Sequence, residues 1–330
     1  MRWTTFLVIV AALSGCASDS RPPARHEYKR VLMGVQARIV LYAPEVQQAA
    51  VQSAVREAFQ RIADLEAVMS DYRRDSEAMK LCAQAGEGLQ PVSDDLLDIV
   101  NRSLHYDALS GGAFDVTVGP LTRLWRAAGK AGNRPRQDQV EAARALVGSG
   151  LIEVDPWVRQ IGLAKPGMHL DFGGIGKGYA CDAAAAVLTG HGLERCLIDM
   201  GGDLLVGAAP PGKAGWRIAL GGTRGVIHLV RGAVATSGDT ERFVEVDGVR
   251  YSHIVDPETG MGLTDRSRVT VVARTATAAD ALASAVSVLG EEAGLALIEK
   301  QPRSEVMIEW VTDSKIRRVR SRKFPPRISF

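Results

Sequence analysis

The spacing of apolar residues predicts an early strand followed by a long amphipathic helix. Apolar and polar residues alternate well enough over residues 31–42 for a first strand. Beyond Pro44, apolar side chains recur at steps of three and four residues, which places them on one face of a helix. These side chains are Val51, Val55, Phe59, Ile62, Leu65 and Met69. The helix is expected to stop at Ser70-Asp71-Tyr72.

The remaining pattern predicts helices, short strands and hairpins. Helices are expected at residues 91–109, with Ser93 as the N-cap, at 137–147 and 179–189, and at 277–289, where Gly290 ends the last one. Strands are expected at residues 152–154, 158–163, 168–172, 196–200, 203–206, 216–220, 226–229, 233–236, 242–246, 249–254, 269–273, 306–311 and 315–319. Asp247-Gly248 is typical of a tight hairpin, and the last two strands turn at Thr312-Asp313. Strand and helix do not alternate regularly, so the predicted fold class is α+β.

The first residues have the composition of a secretory signal. Arg2 precedes an apolar run at 6–13, far shorter than the roughly 20 residues that a spanning helix needs. Leu13-Ser14-Gly15-Cys16 resembles the lipobox of bacterial lipoproteins, whose cysteine is acylated and becomes the mature N-terminus. We expect a signal peptide at 1–15, a linker at 16–29 and a folded domain at 30–330, exported to the periplasmic side and anchored to a bacterial membrane through Cys16. The alternative is an ordinary signal peptide that contains a cysteine.

Composition is globular, and a nearly neutral total hides an uneven charge. Of 330 residues, 46% are hydrophobic and 24% are charged, and the formal net charge is +2. Residues 314–330 hold seven Lys and Arg and no acid, so the body before them is acidic. This basic tail is either the solvated face of a last strand or a surface for anionic lipid. An acidic body offers no general surface for nucleic acid, so phosphate recognition must be local.

Cysteine spacing argues against a zinc site. After processing, Cys82, Cys181 and Cys196 remain, and none of them forms a CxxC pair. An exported protein permits one disulfide, but buried free thiols are the simpler interpretation.

Residues 169–179, HLDFGGIGKGY, predict a strand that leads through a glycine-rich turn into a helix. Such a turn lets backbone approach a ligand, and the first amides of the helix bind phosphate. The segment is not a Walker A loop, because Gly178 follows Lys177 where Ser or Thr is required, and its glycines do not match the dinucleotide fingerprint. On spacing alone, a phosphate loop and a plain strand-to-helix turn both remain open.

A few other polar residues are candidates for chemistry. Asp280 and Ser284 are four apart in a predicted helix, so their oxygens share a face and suit a hard cation such as Mg²⁺. The alternative is a solvated or capping Asp280. His253 lies on the predicted strand at 249–254, beside a Pro-terminated loop, and is either a phosphate or proton-transfer residue or a hydrogen-bonded structural one. Asp115 lies in a turn-rich stretch, and Tyr72 in a polar loop is placed to stack on a planar ligand or to be partly buried.

Taken in order, these motifs resemble the ApbE family, the bacterial FAD:protein FMN transferases. The resemblance runs from about residue 30 to 320 and is most specific in YSHIVDPETG (251–260) and ADALASAVSVLG (279–290). The other matching segments are Met33-Gly34, Met69-Ser70-Asp71-Tyr72 with Ser76-Glu77, GAFDVTVGP (112–120), DFGGIGKGYACD (171–182), IDMGGD (198–203) and ATSGD (235–239). The resemblance implies a two-lobed fold of mixed sheets and flanking helices, with FAD in the cleft between the lobes.

The resemblance also implies a set of site residues. Met33 and Tyr72 would pack on the isoalloxazine, Asp171 would contact the adenosine part, and His253 would lie at the pyrophosphate. Further FAD contacts are implied for Ala113, Phe114, Asp115, Lys177 and Ile254. Mg²⁺ would be bound by Asp280, Ser284 and the backbone carbonyl of Gly174. Ser284 stands where the family usually has Thr but keeps the hydroxyl, and Gly176 stands where Ala is common.

The implied activity is Mg²⁺-dependent transfer of FMN from FAD to a Thr or Ser hydroxyl of an acceptor flavoprotein, with release of AMP. The expected acceptor is a subunit of a membrane redox complex. His253 and Asp280 are the candidate catalytic residues for taking the hydroxyl proton. There are two alternatives. An FAD pyrophosphatase, in which water replaces the acceptor, would use the same residues. A non-catalytic flavin-binding lipoprotein would not need the metal ligands Asp280 and Ser284, so their presence argues against it.

Overall fold

The computed structural model describes residues 22–220, 225–238, 243–246, 248–311, 315–324 and 327–329. In these residues the helices are α1 (Gln48–Met69), α2 (Glu77–Ala83), α3 (Asp94–Ser110), α4 (Gly119–Ala131), α5 (Gln137–Arg144), α6 (Gly176–Gly190) and α7 (Ala276–Glu299). Short 3-10 turns lie at Glu45–Gln47, Val116–Val118 and Ser149–Leu151. The predicted signal peptide, Cys16, Asp247 and the turn at Thr312-Asp313 lie outside the described residues.

The strands form one large sheet and three small ones. They are β1 (Ala24–Leu32), β2 (Val35–Ala43), β3 (Gln90–Pro91), β4 (Ile152–Asp155), β5 (Gln160–Leu163), β6 (Cys196–Met200), β7 (Asp203–Val206), β8 (Trp216–Ala219), β9 (Val226–Val230), β10 (Gly232–Gly238), β11 (Phe243–Val246), β12 (Val249–Ser252), β13 (Ser267–Ala273), β14 (Glu305–Val311), β15 (Ile316–Arg320) and β16 (Arg327–Ser329). The large sheet has the order β1-β2-β6-β7-β10-β13-β14-β15, with every neighbouring pair antiparallel. The predicted α+β class is confirmed.

The two faces of the large sheet are covered by different partners. In β2, Ile39 and Leu41 point into the main core, which α1, α6 and α7 complete. Val40 between them points to the opposite face, because side chains alternate along a strand. There it packs in a second cluster with the small sheet β16-β9-β8, whose Trp216 and Leu229 are buried. The alternation of apolar residues in β2 thus serves two cores at once.

Helices α6 and α7 lie side by side on the large sheet. Asp182 of α6 caps the start of α7: its carboxylate accepts the backbone N–H groups of Ala276 at 2.8 Å and Thr277 at 2.9 Å. By length and composition α7 is apolar enough to cross a membrane, but it packs here against α6, β10 and β13. Its apolar composition is therefore accounted for by the core of this fold.

A third, smaller cluster joins α4 and α5 to the hairpin β11–β12 and the loop after it. Its buried members are Leu121, Trp125, Val140, Tyr251 and Val255. The Thr122 hydroxyl of α4 donates to Asp171 Oδ2 at 2.7 Å, which links this unit to the segment that leads into α6.

Several predicted elements are confirmed. Helix α1 buries all six residues named from the apolar spacing, and α3 begins at Ser93, whose Oγ accepts the N–H of Leu96 at 3.2 Å. The hairpin β11–β12 pairs Val246 with Val249. The strands predicted at 306–311 and 315–319 are also present, as the antiparallel pair β14 and β15. Cys82, Cys181 and Cys196 are buried free thiols, as expected.

The predicted strand at 31–42 is wrong, because it spans a hairpin. Strand β1 pairs with β2 from Ala24↔Ala43 to Leu32↔Val35, and the turn lies at Met33 (φ 51°) and Gly34 (φ 71°). Positive φ at both turn positions is typical of a two-residue hairpin turn. Residues 24–29, which fall within the linker predicted at 16–29, are paired with β2 in the sheet, and the domain boundaries themselves stay a prediction.

Several other predicted elements differ from those in the structure. Residues 168–172 form no strand; the Asp171 N–H donates to the carbonyl of Val116 at 2.8 Å instead of joining a ladder. Helix α6 begins three residues before the predicted start, at Gly176. Gly290 breaks α7 with a φ of 75°, yet the helix resumes and runs to Glu299. Helices α2 and α4 were not predicted.

The first part of the basic tail forms β15 at one edge of the large sheet, whereas residues 327–329 form β16, which pairs with β9 in a small sheet. Arg317 pairs with Glu291 at 2.7 Å, and Arg318 pairs at 2.7 Å with Glu309, whose side chain is 1% exposed. These pairs agree with the interpretation of β15 as a strand with a solvated, arginine-rich face.

Candidate functional site

Helices α6 and α7 approach each other most closely at Gly178. A Cβ at this position would lie 2.9 Å from Asp280 Cβ and still closer to the carbonyl oxygen of Ala276. The Gly178 N–H donates to Asp280 Oδ2 at 3.0 Å. Only glycine permits this contact, and it brings the Asp280 carboxylate to the first turn of α6.

Lys177 lies between two buried carboxylates. Its Nζ forms an ion pair with Asp203 of β7 and lies 3.8 Å from Asp280 Oδ2. Burial raises the pKa of Asp280 to about 7, and the Lys177 charge acts against this while Asp203 adds to it. Burial lowers the pKa of Lys177, but Asp280 and Asp203 outweigh it, so that the pKa is raised. With all three groups ionised, the cluster has one more negative than positive charge and attracts a cation.

The residues expected to bind Mg²⁺ converge beside this cluster. Ser284 Oγ lies 3.5 Å from the carbonyl oxygen of Gly174, and Asp280 is one turn away on the same helix. A Cβ at Gly174 would lie 2.7 Å from Ser284 Oγ, so glycine is needed for the carbonyl to come this close. No group of three or more His, Cys, Asp or Glu able to hold a metal exists among the described residues. A carboxylate, a hydroxyl and a carbonyl fit a hard cation whose remaining ligands are water or phosphate oxygens.

The glycine amides are largely used by the protein itself. The Gly173 N–H donates to Asp171 Oδ1 at 2.8 Å, and the Gly176 N–H donates to the carbonyl of Phe172 at 2.7 Å. Together with Gly178, these amides are paired within the protein, which favours the plain-turn interpretation for them. The glycines serve close packing, and Lys177 is the group of this turn that supplies positive charge.

Tyr72 lies on the other side of the candidate site, at the end of α1. Its side chain is 72% exposed, and the guanidinium carbon of Arg126 lies 4.8 Å from its ring centroid. Arg126 also forms an ion pair with Asp71 and another, at 3.0 Å, with Asp171 Oδ2. Thr122 Oγ1 donates to the same Asp171 oxygen at 2.7 Å. Helix α4 therefore binds the Tyr72 loop to the residue expected at the adenosine.

Asp71, Asp171 and Arg126 form a second cluster, which with all groups ionised also has one more negative than positive charge. Burial raises the pKa of Asp71, and Asp171 adds to the effect while Arg126 opposes it. Burial acts to lower the pKa of Arg126, but the two carboxylates overcome it and the pKa is raised. The guanidinium is therefore held as a cation by its partners.

Met33, Phe114 and Ala113 border the glycine turn. A Cβ at Gly176 would lie 3.6 Å from Met33 Cε, and one at Gly174 would lie 3.4 Å from Phe114 Cε2. Phe114 is buried and its N–H donates to Ser110 Oγ at 3.0 Å, while the neighbouring Ala113 is half-buried. The structure thus gathers these residues around the start of α6.

The Asp115 side chain forms hydrogen bonds within the turn that contains it. Its Oδ1 accepts the backbone N–H of Thr117 at 2.7 Å and the Thr117 hydroxyl at 2.6 Å. Burial raises the pKa of Asp115, and these hydrogen bonds counteract the shift. Asp115 has a structural role here, and its contact with FAD stays a prediction.

His253 and Ile254 lie in a separate segment, directly after β12, and their contact with FAD stays a prediction. His253 is exposed, and the Ile254 N–H donates to Ser252 Oγ at 3.1 Å. Trp125 of α4 anchors this segment: its Nε1 donates to the carbonyl of Gly260 at 2.9 Å, and its ring centroid lies 4.9 Å from that of Tyr251. The same helix thus holds both the Tyr72 loop and the His253 segment.

Three functional residues were missed by sequence reasoning. Asp203 and Asp182 end the motifs IDMGGD and DFGGIGKGYACD, so the motifs themselves were the available signal. Arg126 had none, because α4 was not predicted and its partners are 55 and 45 residues away in sequence.

Known proteins share both this sequence and this fold. The model of the ApbE family matches residues 33–308. An FAD:protein FMN transferase of Treponema pallidum is 33% identical over 318 residues, covering 89% of this chain and 88% of that protein. One of Vibrio cholerae is 33% identical over 271 residues, covering 79% and 80%.

Solved structures of flavin transferases have a fold similar to that of this chain. The flavin transferase ApbE of Vibrio cholerae superposes with a TM-score of 0.80 at 28% identity, covering 92% of this chain and 99% of that one. The apo flavinyl transferase ApbE of Pseudomonas stutzeri has a TM-score of 0.82 at 28% identity, covering 93% and 98%. On the extent of these matches, the chain belongs to the ApbE family.

Proposed function

We propose that this protein transfers FMN from FAD to a Thr or Ser hydroxyl of an acceptor flavoprotein and releases AMP. The observation that carries the proposal is the convergence of Lys177, Asp280, Ser284 and the Gly174 carbonyl where α6 meets α7. Curated relatives named FAD:protein FMN transferase support it. A combined cation and carboxylate site suits phosphoryl transfer, where charge neutralisation and alignment provide most of the catalysis.

In the proposed reaction, the acceptor oxygen attacks the FMN phosphorus of FAD. The bond from that phosphorus to the bridging oxygen breaks, AMP leaves with this oxygen, and the hydroxyl proton passes to a base. His253 and Asp280 are the two candidates for that base. The product is FMN joined to the acceptor through a phosphoester.

This chain's own groups divide the work. Lys177, held as a cation by Asp203 and Asp280, would draw the pyrophosphate toward the start of α6. Asp280, Ser284 and the Gly174 carbonyl would hold Mg²⁺, which when bound neutralises phosphate oxygens. Tyr72 and Met33 would support the isoalloxazine, and Asp171 the adenosine part. Ala113, Phe114 and Ile254 would provide apolar walls.

We also propose that the protein works at the periplasmic side of a bacterial membrane, tethered by lipidated Cys16. The apolar run at 6–13 and the lipobox support this, and β1 begins only eight residues after Cys16. The acceptor would be a flavoprotein subunit of a membrane redox complex. Replacing Cys16 with Ser should release the protein from membranes and abolish labelling with a radioactive fatty acid; labelling that persists would contradict the anchor.

The activity is tested with the purified protein, FAD, Mg²⁺ and an acceptor domain that has one Thr site. We expect covalent FMN on that Thr by mass spectrometry and an equal amount of AMP, with both lost in EDTA. An acceptor with Thr→Val is the matched control and should stay unmodified. Free FMN and AMP without a modified acceptor would instead indicate the pyrophosphatase. FAD binding without any turnover would indicate a flavin-binding lipoprotein.

A further inference from the structure

Arg126 occupies a position that none of the site residues above explains. Its guanidinium contacts three groups from two segments: the Asp71 carboxylate and the Tyr72 ring in the loop after α1, and the Asp171 carboxylate before α6. The two carboxylates are 11% and 7% exposed, whereas Tyr72 is 72% exposed. A single side chain therefore links an exposed aromatic ring to buried acidic groups.

Only an arginine fits these contacts. Asp71 and Asp171 both bond to this guanidinium and carry like charges, so they need a shared cation; burial raises the pKa of Asp71, and Asp171 adds to the effect. A planar guanidinium donates to both carboxylates through different nitrogens, Nη1 to Asp71 and Nη2 to Asp171, while its flat face lies over Tyr72. A lysine has the charge but neither the fork nor the flat face.

Arg126 is not what keeps α4 in place. The helix is anchored separately by Trp125, which is 3% exposed and bonded to Gly260, and by Leu121, which is fully buried. Thr122 maintains its own bond to Asp171. Loss of the guanidinium should therefore leave the helix docked and release Tyr72.

We propose that Arg126 is a positioning residue that couples the two halves of the FAD site. It covers one face of the Tyr72 ring and leaves the other face open for the isoalloxazine. At the same time it fixes Asp171, the group expected at the adenosine part. The flavin and adenylate halves of FAD then bind to one preorganised unit, and less ordering of the Tyr72 loop is needed on binding. The inference rests on the proposed function in so far as FAD is the substrate.

The test measures binding separately from transfer. Dissociation constants for FAD, riboflavin and ADP are measured by calorimetry and by quenching of flavin fluorescence, on wild type, Arg126→Gln and Arg126→Lys. Arg123→Gln is the matched control, because Arg123 is an exposed arginine on the same helix. We expect Arg126→Gln to weaken FAD binding about tenfold, as for loss of a cation–π contact and a charge-assisted bond. Arg126→Lys should fall between, and Arg123→Gln should bind as wild type.

The energetic coupling between Arg126 and Tyr72 in riboflavin binding distinguishes a positioning role from a merely structural one. In a Tyr72→Ala background, Arg126→Gln should cost riboflavin binding less than about twofold, because the ring it positions is gone. In turnover assays the KM for FAD should rise in Arg126→Gln, while kcat stays within about twofold of wild type because the α6–α7 junction is intact.

The proposal is overturned if Arg126→Gln binds FAD as tightly as wild type, or if its effect is the same with and without the Tyr72 ring. If Arg126→Gln does not fold, as judged by circular dichroism, Arg126→Lys carries the same comparison. Failure of the proposed function is distinguishable: wild type would then bind FAD but modify no acceptor, and the binding differences would still stand.

Discussion

The two sides of the candidate site are built in different ways. At the α6–α7 junction, the backbones approach closely, the carboxylates of Asp203 and Asp280 are buried, and Gly178 leaves no room for a side chain. At the α4 side, an exposed Tyr72 is held by ionic and aromatic contacts that Arg126 makes with separate segments. The first side depends on shape and the second on a network of polar contacts.

This difference separates chemistry from recognition. A rigid, buried junction holds charges where phosphoryl transfer needs them, without reorganisation during the reaction. An exposed ring held by a network can receive a large planar group and release it. We therefore expect changes at the junction to affect turnover or folding, and changes on the α4 side to affect binding.

The largest effect is expected from Asp280→Asn. The amide keeps the shape and can still accept the Gly178 N–H, but the charge at the junction is lost. Transfer should fall about 100-fold or more, as when a main electrostatic group is removed, while FAD binding changes much less. Product formation by mass spectrometry and FAD binding by calorimetry measure the two.

The matched control for Asp280→Asn is Ser284→Thr, which keeps the hydroxyl and should retain transfer. Turnover by Asp280→Asn at the wild-type rate would remove Asp280 from the metal site and from the candidates for the base.

Gly178→Ala should break the junction by shape alone. Its Cβ would meet the backbone of Ala276, which cannot yield without moving α7. We expect a loss of about 3 kcal/mol in the free energy of unfolding, measured by urea denaturation.

Gly176→Ala, two residues away, is the matched control for the stability loss expected of Gly178→Ala. Its Cβ would make ordinary contacts of 3.6 Å with Met33 and Phe172, so the variant should be as stable as wild type or more stable by up to about 1 kcal/mol. Equal stability of the two variants would show that close helix contact does not explain Gly178.

Trp125→Phe should weaken the α4 side where it holds the His253 segment. The ring contact with Tyr251 is largely kept, but the carbonyl of Gly260 loses its donor. We expect a cost of about 1 to 2 kcal/mol in stability and slower transfer with riboflavin binding unchanged. If riboflavin binding fell as much as transfer, the two segments held by α4 would not be independent.

The smallest effect is a pH dependence at the junction of the metal-free protein. Asp280 has an ordinary pKa of 3.8 and a folded-state pKa of about 7, because it is buried. The folded protein therefore retains a proton that the unfolded chain releases, so this contribution to stability is present at low pH and is lost as the pH rises toward and through 7. Relative to Asp280→Asn, wild type should lose stability between about pH 4 and pH 7 and change little above that range.

Urea denaturation of both proteins in EDTA across that range measures the difference. A difference in stability that does not change with pH would contradict the buried, protonated carboxylate.

The sequence alone determined the elements whose pattern is local. Helices α1 and α3 follow from apolar spacing and a serine cap, and the hairpin β11–β12 from alternation around a turn. Motif order was enough for the family, and the family implied Asp280, Ser284 and Lys177 together. The two helices and the hairpin could be predicted because each depends on residues only a few positions apart.

Tertiary structure decided the rest. Helix α4 has local signals that the sequence analysis did not use, with Pro120 in its first turn and Gly132 at its C-cap, but nothing local shows that Arg126 meets Asp71 and Asp171. Residues 168–172 have a strand pattern but form no strand, because their backbone bonds to other segments. Likewise, the glycine amides that suggested phosphate binding are taken by Asp171, Phe172 and Asp280. The Arg126–Asp171, Asp171–Val116 and Gly178–Asp280 contacts join residues 45 or more apart, and only the folded chain brings such residues together.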